Sequence, residues 1–429
     1  MIFRAINPAN NESLEPDFHE AHPDEVKEAL AHASSAFDEF RSRSYEDRAR
    51  LLDAIATEIE GLGDVLLDRA HLETGLPLPR LQGERARTCG QLRLFAAVVR
   101  EGSWLDVRID TALPDRQPLP RPDLRRMLTP LGPVVVFGSS NFPLAFSVAG
   151  GDTASALAAG CPVAVKAHRA HPGTAELVGQ AISRAVQNCG LPAGVFSLVH
   201  GGGATTGIAM VKHPAVAAVG FTGSQLAGRA LCDAAASREH PIPVFAEMSS
   251  LNPFVILPGA LAGNTDGLVQ GLLGSFTLGV GQFCTKPGLV FVLESPETDR
   301  FLESFASAVG QAPCATMLTP GIHEAFEQNR DTVLSVEGVD SLGASQAGAN
   351  AQENDGVPSV AVTSAENFLR NPKLATEAFG PFTLIVKGKQ LGELVECVRN
   401  LEGQLTGTLH GNDSDFESAH SLVSALEKK

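Results

Sequence analysis

The chain has 429 residues, 44% of them hydrophobic and 19% charged, with a formal net charge of −16. That length exceeds what one core organises and predicts two domains, and the negative charge excludes non-specific attraction to nucleic acid or to anionic membranes as the basis of function. The seven cysteines include no CxxC pair, which argues against a disulfide framework or a metal site and fits a reducing, cytoplasmic compartment.

The opening MIFRAINPANNES carries no apolar signal-peptide core, so no secretory signal is expected there. No stretch approaches the roughly 18 apolar residues of a membrane span, and none is expected. PDEVKEALAHASSAFDEF opens with Pro23-Asp24 and repeats apolar residues at helical spacing, so 23–60 reads as helices, as do 47–70 and 81–100. Residues 106–127, rich in proline and charge, read as an extended arm or as a plain loop. From residue 131 strands and helices alternate. VVVF is a strand, Pro143 to Ala159 a helix, VAVKA a strand, 172–189 a helix and VFSLV a strand. A helix over 204–212, the strand VAAVGF, a helix over 225–236 and the strand IPVFAE follow. A second series runs FVIL, a helix over 265–279, LVFVL, a helix over 298–310, then SVAV, FTLIV and LTGTL. Short continuous apolar runs joined by helices predict α/β architecture, with two doubly wound parallel sheets in series and a boundary near 247–253.

Ligands of parallel sheets gather at the carboxyl ends of strands, so the residues after each run are the candidates. Asn141 in GSSNFPL is placed to donate to a developing oxyanion, or to cap the following helix. Lys166 and Arg169 end VAVKAHR, where they suit ribose or phosphate or make a solvated basic turn. HGGGATTG and FTGS each open a helix and let backbone amides approach a phosphate, although neither is GxGxxG. Glu247, straight after a strand in FAEMSS, reads as a desolvated general base or as a capping or ion-paired carboxylate. Cys284, in the open frame GQFCTKPG, is the candidate nucleophile, since backbone amides near a helix end favour a thiolate, or, like any one cysteine of seven, a small buried hydrophobe. Cys161, Cys189, Cys232 and Cys397 read as small buried hydrophobes.

Taken in order, GSSNFPL, VAVKAHR, GGGATTG…KHP…VGFTGS, FAEMSS with Asn252-Pro253, GQFCT and EAFGPF resemble the aldehyde dehydrogenase superfamily over residues 130–411. AHRAHPGT and HGNDSDFESA are most similar to its branch acting on α-ketoglutaric semialdehyde. The resemblance implies a dinucleotide-binding domain of 1–107 with 128–247, an oligomerisation arm at 108–127 and a catalytic domain at 248–429. It makes Cys284 the catalytic thiol, Glu247 the base, and Asn141 the oxyanion-hole amide together with the Cys284 backbone N–H. It puts Lys166 on the adenosine ribose, Gly203, Gly223 and Ser224 in turns near the dinucleotide, and Glu377 and Phe379 beside the nicotinamide ribose and ring. The implied partners are a small aldehyde and, for a full-length form, further copies of the chain.

Three departures stand out. Arg169 occupies a position where many NAD-preferring members carry Glu, so NADP is the expected cofactor and NAD the second possibility. Ser249-Ser250 replaces the usual Gly-Gly after the base. Members continue beyond LVSALEKK with a strand, a substrate loop and an oligomerisation segment, so a C-terminal truncation is the expectation. A negatively charged semialdehyde would need a cation, and Arg85, Arg87 and Arg93 are on offer, of which at least two read as a solvated face. Two rival functions stay open. One is an acylating enzyme that passes the acyl group to coenzyme A, which a water-activating Glu247 opposes. The other is a silent nucleotide-binding protein.

Overall fold

Five runs in the first half of the chain form one parallel sheet. Across it the strands lie in the order Phe196–Val199, Val163–Lys166, Val134–Phe137, Ala218–Thr222, Val244–Glu247. In the computed structural model, which describes residues 1–349 and 354–429, this sheet belongs to a compact unit of Met1–Ile6 and Ser13–Met248. Apolar runs stay apolar on both faces because helices cover both. Val135, Phe137, Ala164, Val199, Val219 and Phe221 pack with Val26 and Leu30 of helix Pro23–Ser42 and Leu231 of helix Gln225–Ala236. Val136, Val163 and Val165 alternate with them and are equally buried. Helix Pro23–Ser42 starts at a capping box: His22 accepts from the Asp24 amide, and Glu25 accepts from the His22 amide.

The second unit, Asn7–Glu12 with Ser249–Lys429, carries a six-stranded sheet. Its order is Val339–Ala344, Ser359–Ser364, Phe382–Gly388, Leu289–Leu293, Phe254–Ile256, Thr408–His410. Period-two alternation divides its side chains between two cores. Leu289, Phe291, Leu384 and Val386 pack with Leu394 and Val398 of helix Leu391–Asn400 and Leu422 of helix Phe416–Leu426. Val290, Val292 and Ile385 pack with Phe276 of helix Pro258–Thr277 and Phe301 and Phe305 of helix Pro296–Gly310. Both units are therefore doubly wound.

Four local expectations are corrected. The helix read over 143–159 begins only at Gly151, with Gly150 as its N-cap. The amides of Leu144 and Ala145 instead donate to the carboxylate of Glu84, sixty residues earlier, at 2.8 and 3.0 Å. Val244–Glu247 is an edge strand paired only with Ala218–Thr222 and half-exposed, not a buried one. The second sheet is not wholly parallel, because Val339–Ala344 pairs antiparallel with Ser359–Ser364 around a bulge between Ser341 and Gly343. Cys189 and Cys232 are half-buried, whereas Cys161 and Cys397 are buried; none of the seven is in a disulfide, and burial pushes Cys397 up to about 12. In the 106–127 segment, Arg108–Asp110 pairs antiparallel with Leu124–Arg126, exposing Ile109 and Leu124. No helix among the described residues is long and apolar enough to cross a membrane.

Candidate active site

In the first unit the registers are parallel throughout the five-stranded sheet, so the candidate residues that follow its strands leave from one edge. Beyond Phe137 the chain turns through Gly138, where a Cβ would sit 2.6 Å from the Ser147 Cα; only glycine admits that approach. The Ser139 amide then donates to Phe146 O at 2.8 Å. Asn141 lies within this loop, buried, with its carbonyl accepting from Arg80 Nη2 at 2.6 Å. Since the next helix is capped by Gly150, Asn141 caps no helix. Its loop is instead held from below by Glu84 and Arg80 on helix Leu78–Glu101. Burial raises the Glu84 carboxyl, with the two amides and Arg80 pulling the other way.

Lys166 ends its strand half-buried, and burial alone pushes its ammonium down to about 8. No acidic partner lies within 4.0 Å of it among the described residues, so the amine is desolvated without compensation. Gly203 opens a turn, and a Cβ there would meet nothing within 4 Å. The Gly223 amide donates to Glu247 O at 3.0 Å, and Ser224 Oγ accepts from Ala227 N at 3.3 Å, capping helix Gln225–Ala236. Glu247 is half-buried at the end of the edge strand, and its charge, after burial itself, raises the Asp152 carboxyl. A lone desolvated cation, an open glycine and a capped helix N-terminus at one sheet edge fit an anionic dinucleotide. Arg169 is already engaged: its guanidinium pairs with Glu20 and lies 5.3 Å over the Phe3 ring.

In the second unit Cys284 sits half-buried in a turn after two left-handed residues, Gly279 and Val280, and Gly281 with φ 65°. Asn252 Nδ2 donates to the carbonyls of Cys284 at 2.7 Å and Lys286 at 2.9 Å. Gln404 Oε1 in turn accepts from the Asn252 amide at 2.9 Å. Lys286 is 3% exposed, and its Nζ donates to Ala378 O at 2.7 Å and Phe382 O at 2.9 Å. That ammonium ties the Cys284 turn to the segment holding Glu377 and Phe379. Burial pushes it down to about 8, against the opposing pull of Glu377. The Glu377 carboxyl is raised by burial, while Lys286, Ser249 and the Ser250 amide hold it down in part. Ser250 Oγ also donates to Asn252 Oδ1 at 2.8 Å. The Ser249-Ser250 departure thus fastens both Glu377 and the support of Cys284.

Cys284, Glu377 and Phe379 are brought together in one unit; Asn141, Lys166, Gly203, Gly223, Ser224 and Glu247 share one sheet edge in the other. Sequence reading missed Lys286, Asn252, Gln404, Glu84 and Arg80. The signal for Lys286 was a lysine inside the otherwise apolar and turn-forming frame around Cys284, and Asn252 stood in the Asn252-Pro253 element without a role assigned to it; Gln404, Glu84 and Arg80 carried none.

The aldehyde dehydrogenase family model matches residues 1–427. The chain is 52% identical over 427 residues to α-ketoglutaric semialdehyde dehydrogenase 2 of Azospirillum brasilense, covering 99% of this chain and 81% of that one. It is 44% identical to α-ketoglutaric semialdehyde dehydrogenase of Acinetobacter baylyi, covering 96% of this chain and 78% of that one. Among solved structures, the NAD-dependent benzaldehyde dehydrogenase of Corynebacterium glutamicum superposes with a TM-score of 0.80 at 22% identity, over 97% of this chain and 87% of that one.

Proposed function

The chain belongs to the aldehyde dehydrogenase family, and on that premise we propose that it oxidises α-ketoglutaric semialdehyde to 2-oxoglutarate with NADP as the preferred cofactor. The supporting observation is the Cys284 turn, pinned at its carbonyls by Asn252 and joined to the Glu377–Phe379 segment by a buried ammonium. The substrate follows the names of the two relatives with 52% and 44% identity.

The Cys284 thiolate adds to the aldehyde carbon, and Asn141 with the Cys284 N–H steadies the oxyanion; removing one such donor costs about 100-fold or more. A nicotinamide held by Glu377 and Phe379 would supply the hydride acceptor for that carbon. Glu247 then removes a proton from water as it adds to the Cys284 thioester, and collapse returns the thiol and releases the acid. Lys166, Gly203, Gly223 and Ser224 hold the adenosine half of the cofactor, and Glu377 and Phe379 the nicotinamide half. Arg169 favours the 2′-phosphate. Its pair with Glu20 is partly exposed, with side-chain exposures of 48% and 18%, and such pairs contribute about 1 kcal/mol or less, so a phosphate dianion competes for the guanidinium. The exposed hairpin at 108–126 suits contact with another copy of the chain.

The test is initial-rate measurement with α-ketoglutaric semialdehyde and both cofactors, following reduced nicotinamide by absorbance. NADP should give the higher kcat/KM, Cys284→Ser should abolish turnover, and the aldehyde should protect Cys284 from alkylation among the seven thiols. Absence of turnover with this semialdehyde while other aldehydes react would overturn the substrate; NAD outperforming NADP would overturn the role of Arg169.

A further inference from the structure

Helix Leu78–Glu101 carries five arginines, and four of them are committed. Arg80 Nη2 donates to Asn141 O at 2.6 Å, Arg85 Nη1 to Gly63 O at 2.7 Å, Arg93 forms a bidentate pair with Glu60, and Arg100 binds Glu46 and Asp53. Arg87 differs. Its guanidinium lies 4.9 Å over the Phe146 ring and 5.7 Å from the Phe142 ring. It is exposed, and among the described residues it has no carboxylate within 4.0 Å and no hydrogen-bond acceptor. Glu84, whose carboxylate feels both Arg80 and Arg87, is buried and accepts from the Leu144 and Ala145 amides.

Stacking occupies the face of a guanidinium and leaves its in-plane N–H donors free. Those donors form the fork that grips a carboxylate through two parallel bonds. Residues 80 and 87 are seven apart, so both project from one face of the helix. Both also rest on Phe142, the residue next to Asn141; the ring is 5.1 Å from the Arg80 guanidinium. An uncommitted cation therefore stands on the rings of the same loop that presents the oxyanion-stabilising amide.

We infer that Arg87 binds the remote carboxylate of the aldehyde substrate, selecting short ω-oxo acids over uncharged aldehydes, and that Arg80 is a positioning residue for Asn141 and Phe142. This rests on the proposed role of Asn141 and names the group that recognises the proposed substrate class.

The test compares kcat/KM for α-ketoglutaric semialdehyde and for pentanal, an uncharged aldehyde of equal carbon count, in the full chain and in Arg87→Gln and Arg87→Lys. The ratio of the two should fall by about 10- to 100-fold in R87Q, through KM for the charged aldehyde, and by a smaller factor in R87K, which keeps charge without the fork. A fall of less than about threefold in R87Q, or equal losses for both aldehydes, overturns the assignment. If R87Q does not fold, the ratio in R87K decides by the same criterion. A wild-type ratio near unity overturns the substrate class itself, and this inference with it. A high wild-type ratio that survives in R87Q overturns only the role of Arg87.

Discussion

Lys286→Met removes the buried ammonium that joins the Cys284 turn to the Glu377–Phe379 segment, and its effect can be worked from the structure. Two charge-assisted bonds, to Ala378 O and Phe382 O, are lost, at about 1.5–3 kcal/mol each. Against this stands the cost of burying the charge. Burial pushes the ammonium down from 10.5 to about 8, which corresponds to about 3 kcal/mol. At pH 7 the variant should therefore be less stable by about 0–3 kcal/mol, which alone discriminates poorly. The pH dependence discriminates better. A lysine depressed on folding imposes its full cost below pH 8 and is relieved as pH rises toward 10.5. The wild type should accordingly gain up to about 3 kcal/mol on the variant across that window, while Lys166, present in both, cancels. Urea denaturation of both proteins at several pH values from 7 to 10.5 measures it. A stability difference that stays flat through the window would refute the reasoning.

Asn252→Ala leaves the carbonyls of Cys284 and Lys286 without their donor; stability should fall by about 2–4 kcal/mol in denaturant titration, and kcat with it. Gly281→Ala places a Cβ 2.3 Å from the Gly380 carbonyl at φ 65°, so a loss of about 2 kcal/mol or more and near-complete loss of turnover are expected, against a Tm and rate comparison with wild type. Glu84→Ala orphans the amides of Leu144 and Ala145. Steady-state kinetics should show kcat reduced about tenfold or more as the Asn141 loop loosens.

The five strands of the first sheet were legible because each is a short apolar run, whereas Val339–Ala344, with the sequence VDSLGA, is no such run and was not read as a strand; the candidate residues came from inspecting the strand ends, where parallel sheets gather ligands. Helix Gln225–Ala236 matched its reading because Ser224 caps it locally. What escaped were contacts set by distant chain. PLAFSVA has helical spacing, yet two of its amides belong to Glu84, a partner no local window contains. The arginines at 85, 87 and 93 read as equivalent; two are fixed by Gly63 and Glu60, residues one and two helices earlier in the chain. Lys286 looked like a turn residue because only the folded segment 378–382 supplies the carbonyls that draw it inward.

The first dozen residues belong to two places at once. Met1–Ile6 and the strand from Ser13 are built into the first unit, while Asn7–Glu12 is counted with the second, where Asn354 Nδ2 donates to Pro8 O and Asn11 Oδ1 at 2.8 Å each. On the ribosome, Pro8 is made 346 residues before Asn354. At about 5–20 residues per second that interval is roughly 20–70 s. The contact that Pro8 and Asn11 make with Asn354 therefore forms only after residue 354 has emerged, long after the neighbouring Ile2–Ile6 strand has been made.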